Sequence, residues 1–262
     1  MLRAGPVLAI TALLLALPML PDLLVRLQRS AASSGPFPLV LGSPEPPQSA
    51  PVDPSLRPLA LLQGGLLAQL RQADNAWVPR AEPLPGGGTR YLYKRRPGDP
   101  ELTIPQIRAL MASPPNREQE RRSITSLLRT LDRAGTAVGL MDPLKPGAAA
   151  EWDPQARTLR IAPTVPQQGT VEFARVLNHE AIHVAQSCAA GGLGASPKPL
   201  GLPLAAGGKT LQLPADHPLQ DPVYANLSPL EERMEKEAYA LQDRLGVGER
   251  LVRALCLDGR AA

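Results

Sequence analysis

His179-Glu180-Ala181-Ile182-His183 decides how this chain is read, because two imidazoles four residues apart on a helix lie one turn apart on the same face. Both rings then reach a common point, while Glu180 sits about 100° round the helix from His179. Neutral imidazoles suit Zn²⁺, and an incomplete protein shell leaves a water on the metal whose pKa falls towards roughly 7. A carboxylate beside that water can take its proton during attack on a carbonyl and pass it to the leaving amine. The pentapeptide holds two of the three histidines in the chain. Around it Phe173, Ala174, Leu177, Ala181 and Val184 recur at helical spacing. That spacing predicts a helix from about Thr170 to Ser187, with the histidines beside its buried face. Gly191-Gly192 supplies the stop.

Upstream, Asn116 to Arg133 reads as a helix, with Ile124, Leu127, Leu128 and Leu131 on one side and Gly135 just past its end. Thr136 to Met141 is short and apolar, as a strand would be. Ala149 to Trp152 and Arg157 to Ile161 flank the turn-forming run Asp153-Pro154-Gln155-Ala156, which predicts a hairpin. Downstream, Leu230 to Gln242 is helical, with an apolar stripe through Leu230, Met234, Ala238 and Leu241 that continues to Leu245. Helices and a few strands in this order give an α+β fold.

From about Gly135 to Leu245 the chain resembles the zincin metallopeptidases, whose hallmark is the HExxH helix. The resemblance implies a zinc-dependent peptidase with a minimal core. That core is a helix, a small and mainly antiparallel sheet, the HExxH helix and a later ligand helix. In such a core an edge strand above the metal helix holds extended polypeptide by main-chain pairing, a place that Arg157 to Ile161 would fill. The metzincin branch needs a glycine and a third histidine soon after His183, but the chain reads Val184-Ala185-Gln186-Ser187-Cys188. The gluzincin branch takes a glutamate from a later helix, often written Glu-x-x-Ala-Asp or Glu-x-x-Ala-Asn. That pattern maps the third ligand onto Glu235, with Tyr239 where an outer-shell Asp or Asn would stand. Helical periodicity instead puts Glu237 nearer the centre of the buried stripe, so Glu237 is the alternative ligand. By the same resemblance, His217, Tyr224 and Tyr239 are candidates to hydrogen-bond a developing oxyanion.

The remaining sequence bounds the organisation. With 31 prolines, 22 glycines and only two Trp, four Tyr and two Phe among 262 residues, long stretches must be irregular. Residues 1–29 read as a signal peptide or membrane anchor, because Ala4 to Val25 is almost wholly apolar and no small-x-small cleavage site directly follows. Residues 30–54 form a Pro-, Ser- and Ala-rich linker, 55–112 a helical region with helices over 55–72 and Ile104 to Ala112, and 113–262 the metallopeptidase-like domain. Cys188 and Cys256 follow the two metal-site helices, where a disulfide would clamp them together; two buried free thiols are the alternative. Residues 189–227 form a connection long enough to be a lid. The net charge of +4 is scattered apart from Lys94-Arg95-Arg96, with no nucleic-acid-binding motif, and suits anionic lipid headgroups better. The expected setting is therefore membrane-anchored or exported, with a polypeptide substrate. A membrane-anchored domain that keeps zinc only as structure competes with this reading, and Glu180 discriminates, since a structural metal has no use for it.

Overall fold

The computed structural model describes residues 63–95, 99–202 and 227–260. The expected membrane segment, the linker, His217 and Tyr224 lie outside these residues. No helix among the described residues is long and apolar enough to cross a membrane.

The elements in chain order are α1 (Gln63–Trp77), β1 (Arg80–Pro83), β2 (Thr89–Leu92), α2 (Ile104–Ala112), α3 (Glu118–Ala134), β3 (Ala137–Leu140), β4 (Ala150–Asp153), β5 (Thr158–Ile161), α4 (Thr170–Ala190), α5 (Pro229–Leu241) and α6 (Val247–Val252). A π-helical turn, Arg253–Leu257, continues α6. The fold is α+β, as the sequence predicts. The region over 55–112 is less uniformly helical than expected. Between α1 and α2, β1 and β2 pair as an antiparallel hairpin. Gly86, Gly87 and Gly88 all carry positive φ there, backbone that side chains disfavour and glycine adopts freely.

The apolar stripe of α3 is realised in full, since Ile124, Leu127, Leu128 and Leu131 are buried. The helix stops where glycine permits a left-handed residue: Gly135 has φ 86, and the Thr136 amide returns to the Leu131 carbonyl at 3.0 Å. The chain then enters a three-stranded sheet of order β3-β5-β4. Strand β5 lies in the middle, parallel to β3 and antiparallel to β4, so the sheet is mixed. This corrects one expectation. Both edges of Arg157 to Ile161 are occupied within the sheet, and Leu159 and Ile161 are buried, so that strand cannot hold a substrate backbone. The free edge beside α4 belongs to β4.

Helix α4 is the centre of the molecule and packs against α1, α3, α5, α6 and β4. Its start is fixed from far away in sequence. Asp74 of α1 accepts the Thr170 amide at 2.7 Å and the Thr170 hydroxyl at 2.6 Å, satisfying a donor that the first helical turn cannot satisfy itself. The Arg121 guanidinium holds the same carboxylate at 2.9 Å. Gly169 is required here, because a Cβ on it would lie 2.8 Å from Asp74 Oδ1 and its φ is +95. At the other end, Cys188 and Cys256 form a disulfide with 5.2 Å between the Cα atoms, tying the end of α4 to the π-helical turn after α6.

Replacing Asp74 by Ala removes a cap and a half-buried ion pair together, and should lower unfolding free energy by about 2 kcal/mol in a denaturant titration. Opening the disulfide, with its separation of 68 residues, should cost roughly 4 kcal/mol on the chain-entropy view, read as the difference between Cys188→Ser/Cys256→Ser and the parent.

Candidate metal centre

Helix α5 begins with a reciprocal cap. The Ser228 hydroxyl accepts the Glu231 amide at 3.3 Å, the Glu231 carboxylate accepts the Ser228 amide at 2.8 Å, and Pro229 takes the first helical position. Its far end is held by Asn178 of α4. The Asn178 amide nitrogen donates to the carbonyls of Leu241, Gln242 and Arg244, and its oxygen accepts the Gly248 amide at 2.8 Å. The Leu241 and Arg244 carbonyls also accept the Arg244 and Val247 amides, so one buried carboxamide braces the turn that leads from the end of α5 into α6. The residue after Asn178 is His179, so the register of α5 against the histidine helix is set at the site itself.

This register brings His179, His183 and Glu235 together, with one ligand atom from each lying within 4.8 Å of the others. His179 Nε2 and His183 Nε2 are 3.1 Å apart, Glu235 Oε2 is 3.3 Å from His179 Nε2, and Oε1 is 3.7 Å from His183 Nε2. Ligands about 2.1 Å from a tetrahedral centre are roughly 3.4 Å apart, so the triad fits one metal ion. His179 Nδ1 faces Gln242 Oε1 at 3.1 Å and His183 Nδ1 faces Gln186 Oε1 at 2.8 Å, contacts that suit an Nδ1–H donating outwards and leave each Nε2 to face the triad. Glu235 Oε2 is buried and, despite its nearness to His179, lacks a hydrogen bond of good geometry. Inward-facing lone pairs and an orphaned carboxylate oxygen are what a cation would satisfy.

The electrostatics agree. Burial would lower the His183 pKa, but contact with Glu235, the Glu180 charge and Gln186 more than offset it and push it up to about 9. Burial likewise raises Glu235, yet the two histidines outweigh it and hold the carboxyl far below its usual range. Glu180 goes the other way. Burial dominates and raises it, against the histidines, with Glu235 and Glu151 adding to the rise. Only 6% of its surface is exposed, and no described residue hydrogen-bonds its carboxylate.

Glu180 lies between two cavities. One, of about 260 Å³, is lined by the triad, Ala150, Glu151 and Met234 among others. The second, of about 170 Å³, lies against Tyr239, Gln242 and Arg175. A further cavity, about 310 Å³ beside Trp77, Pro114 and Pro115, contains none of these groups.

Of the sequence-predicted residues, the structure brings together His179, Glu180, His183 and Glu235. Glu237 is not part of the triad. It is fully buried about 200° round α5 from Glu235, where it accepts from Gln186 and from the amides of Leu200, Gly201 and Leu202. Tyr239 does not stand behind a histidine as an outer-shell Asp would. Its ring meets the His179 ring edge-on at 4.7 Å between centroids, and Gln242 takes the outer nitrogen instead. Sequence reasoning missed Asn178, Gln186 and Gln242. Asn178 and Gln186 carry a legible signal, an uncharged amide inside a stretch whose neighbours are all core. Gln242 carries none, since a polar residue between Leu241 and Leu245 reads like any solvent-facing position of that helix.

Comparison of the chain with protein-family models, with characterised proteins and with solved structures found no match.

A proton on His183 and a metal ion compete for the same lone pair. Metal affinity should therefore rise about tenfold per pH unit up to about 9 and then level off, as read by competition titration against a chelator. In the metal-free chain the raised pKa contributes stability that is complete below the ordinary value of 6.5 and fades as pH rises through about 9. Thermal melts of the metal-free protein should show that decline, and Glu235→Gln should flatten it.

Proposed function

We propose that this protein is a zinc-dependent metallopeptidase of gluzincin type, with His179, His183 and Glu235 as the protein ligands. The observation that carries the reading is the convergence of three inward-facing ligand atoms beside a buried carboxylate that no described residue satisfies. Two imidazoles and one carboxylate are a donor set that zinc accepts while keeping a position open for chemistry. A zinc ion there would supply a Lewis acid that polarises a carbonyl and makes water nucleophilic near neutral pH.

The chain's own groups would do the rest. Glu180, next to the ligand His179 and raised in pKa by burial, would accept a proton from the attacking water and deliver it to the departing amine nitrogen. Gln186 and Gln242 would keep both imidazoles in the tautomer that ligates. The free edge of β4 runs along the cleft through Ala150 and Glu151, so an extended polypeptide is the substrate whose backbone that edge can pair. We place the chain in an exporting or membrane-anchored setting, which the largely apolar run Ala4 to Val25 and a disulfide at the end of α4 both support.

A purely structural metal site would leave Glu180 unexplained. A carboxyl that burial raises in pKa and that lines the cleft beside the triad is placed where chemistry can use it.

In the full-length chain, elemental analysis should find close to one zinc per molecule. Glu180→Gln should keep that zinc and lose peptide hydrolysis by several orders of magnitude, whereas His183→Ala and Glu235→Ala should lose both. Hydrolysis retained by Glu180→Gln would sink the mechanism and leave the non-catalytic metal domain as the better reading.

A further inference from the structure

The outer nitrogens of the two histidines end in different surroundings. The contact of His179 with Gln242 lies at the partly buried end of α5. His183 instead opens a fully buried relay. Gln186 Oε1 faces His183 Nδ1 at 2.8 Å, while Gln186 Nε2 donates to Glu237 Oε2 at 3.1 Å and to the Met234 carbonyl at 3.3 Å. Glu237 accepts in turn from Leu200 N at 2.7 Å on Oε2, and from Gly201 N at 2.8 Å and Leu202 N at 3.1 Å on Oε1. Gly201, at φ 73, lets successive amides converge on one carboxylate. A carboxylate this deeply buried is tolerable only when donors surround it, and four N–H groups do so.

We propose that Glu237 is a positioning residue for the metal centre, orienting His183 through Gln186 and coupling metal binding to the docking of the Leu200–Leu202 turn. This rests on the metal-site reading given above. The Gln186 carboxamide has only two ends. Because its nitrogen must face the acceptors Glu237 and Met234 O, its oxygen must face His183, and that oxygen can be satisfied only by an Nδ1–H. The lone pair is thereby kept on Nε2, where a metal needs it. In Glu237→Gln the new amide can offer Gln186 a donor in place of an acceptor. Gln186 can then turn over, present its own N–H to Nδ1 and drive the proton to the metal side of the ring. The relay also runs backwards. Metal on Nε2 fixes the proton on Nδ1, hence Gln186, hence the acceptor geometry that holds the turn. Pro197, three residues before Leu200, lines the cleft beside the triad, so the turn follows closely on a residue of the cleft wall.

The test uses the full-length chain, zinc titrated against a chromophoric chelator, and hydrogen exchange at the Leu200, Gly201 and Leu202 amides with and without zinc. Expected are a zinc affinity lowered about 10- to 100-fold by Glu237→Gln and by Gln186→Met, and a double variant no weaker than Gln186→Met alone, because one relay is cut once. Zinc should slow exchange at the three amides in the parent and leave it unchanged in Gln186→Met. A Glu237 that merely pins the turn would give additive losses and exchange indifferent to zinc, and either result overturns the proposal. So does a zinc affinity within twofold of the parent in both variants. Should Glu237→Gln fail to fold, the parent's zinc-dependent exchange and Gln186→Met decide alone. A parent chain that binds no zinc by elemental analysis overturns the metal reading itself and this inference with it, an outcome distinct from bound zinc with an idle relay.

Discussion

Four hydrogen bonds from one carboxamide hold the arrangement together. Asn178 gathers three carbonyls at the end of α5 and the amide that opens α6, and it does so from inside α4, where few polar groups are admitted. The third metal-site residue reaches the histidines only because α5 is seated at that height and rotation. Gly248 is part of the same constraint. A Cβ there would lie 2.7 Å from Asn178 Oδ1 and 2.9 Å from Ala181 Cβ, so α6 approaches α4 as closely as a bare backbone allows. The disulfide and the Asp74 cap restrain the two ends of α4, and Asn178 restrains its middle.

A helix this buried usually carries apolar residues throughout, and α4 departs from that rule over a short run. Asn178, His179, Glu180, His183, Gln186 and Ser187 are all buried. Most of them find partners: Ser187 accepts the Trp152 indole N–H at 2.8 Å, linking the helix to β4, and the two amides secure α5. What is left over is chemically uniform, a set of acceptors facing one point with a carboxylate beside it. Stability is spent where polar groups are matched and withheld where they are not, which is the signature of a site rather than of a core.

The sequence made the helical skeleton legible because its signals are local. Apolar spacing marks α3, α4 and α5, and Gly135 and Gly191-Gly192 end the first two. The choice between Glu235 and Glu237 was harder, since periodicity pointed at the more buried of the two. The motif pointed at Glu235 instead, and Glu235 is the residue that meets the two histidines. The centre of the stripe is where a carboxylate can be surrounded by amides, and the edge is where one can face a cleft. Strand order was legible only in part. The turn-forming run predicts the β4–β5 hairpin, which forms, but nothing in Thr158 to Ile161 records that β3 will lie on its other side, because pairing partners are chosen by the whole chain. The cap on α4 comes from Asp74, 96 residues before Thr170, beyond the reach of any short-range signal.

That strand order has a consequence for assembly. Strands β4 and β5 are joined by a short turn, in which Asp153 Oδ1 accepts the Ala156 amide at 3.0 Å, so they can zip together as soon as both exist. Strand β3 precedes them in the chain yet has no partner until β5 arrives, since it pairs with β5 alone. During synthesis β3 must therefore wait, and closing it onto β5 is the slower, longer-range event. The strand that lines the cleft beside His179, His183 and Glu235 is then paired before its support on the far side of β5 arrives.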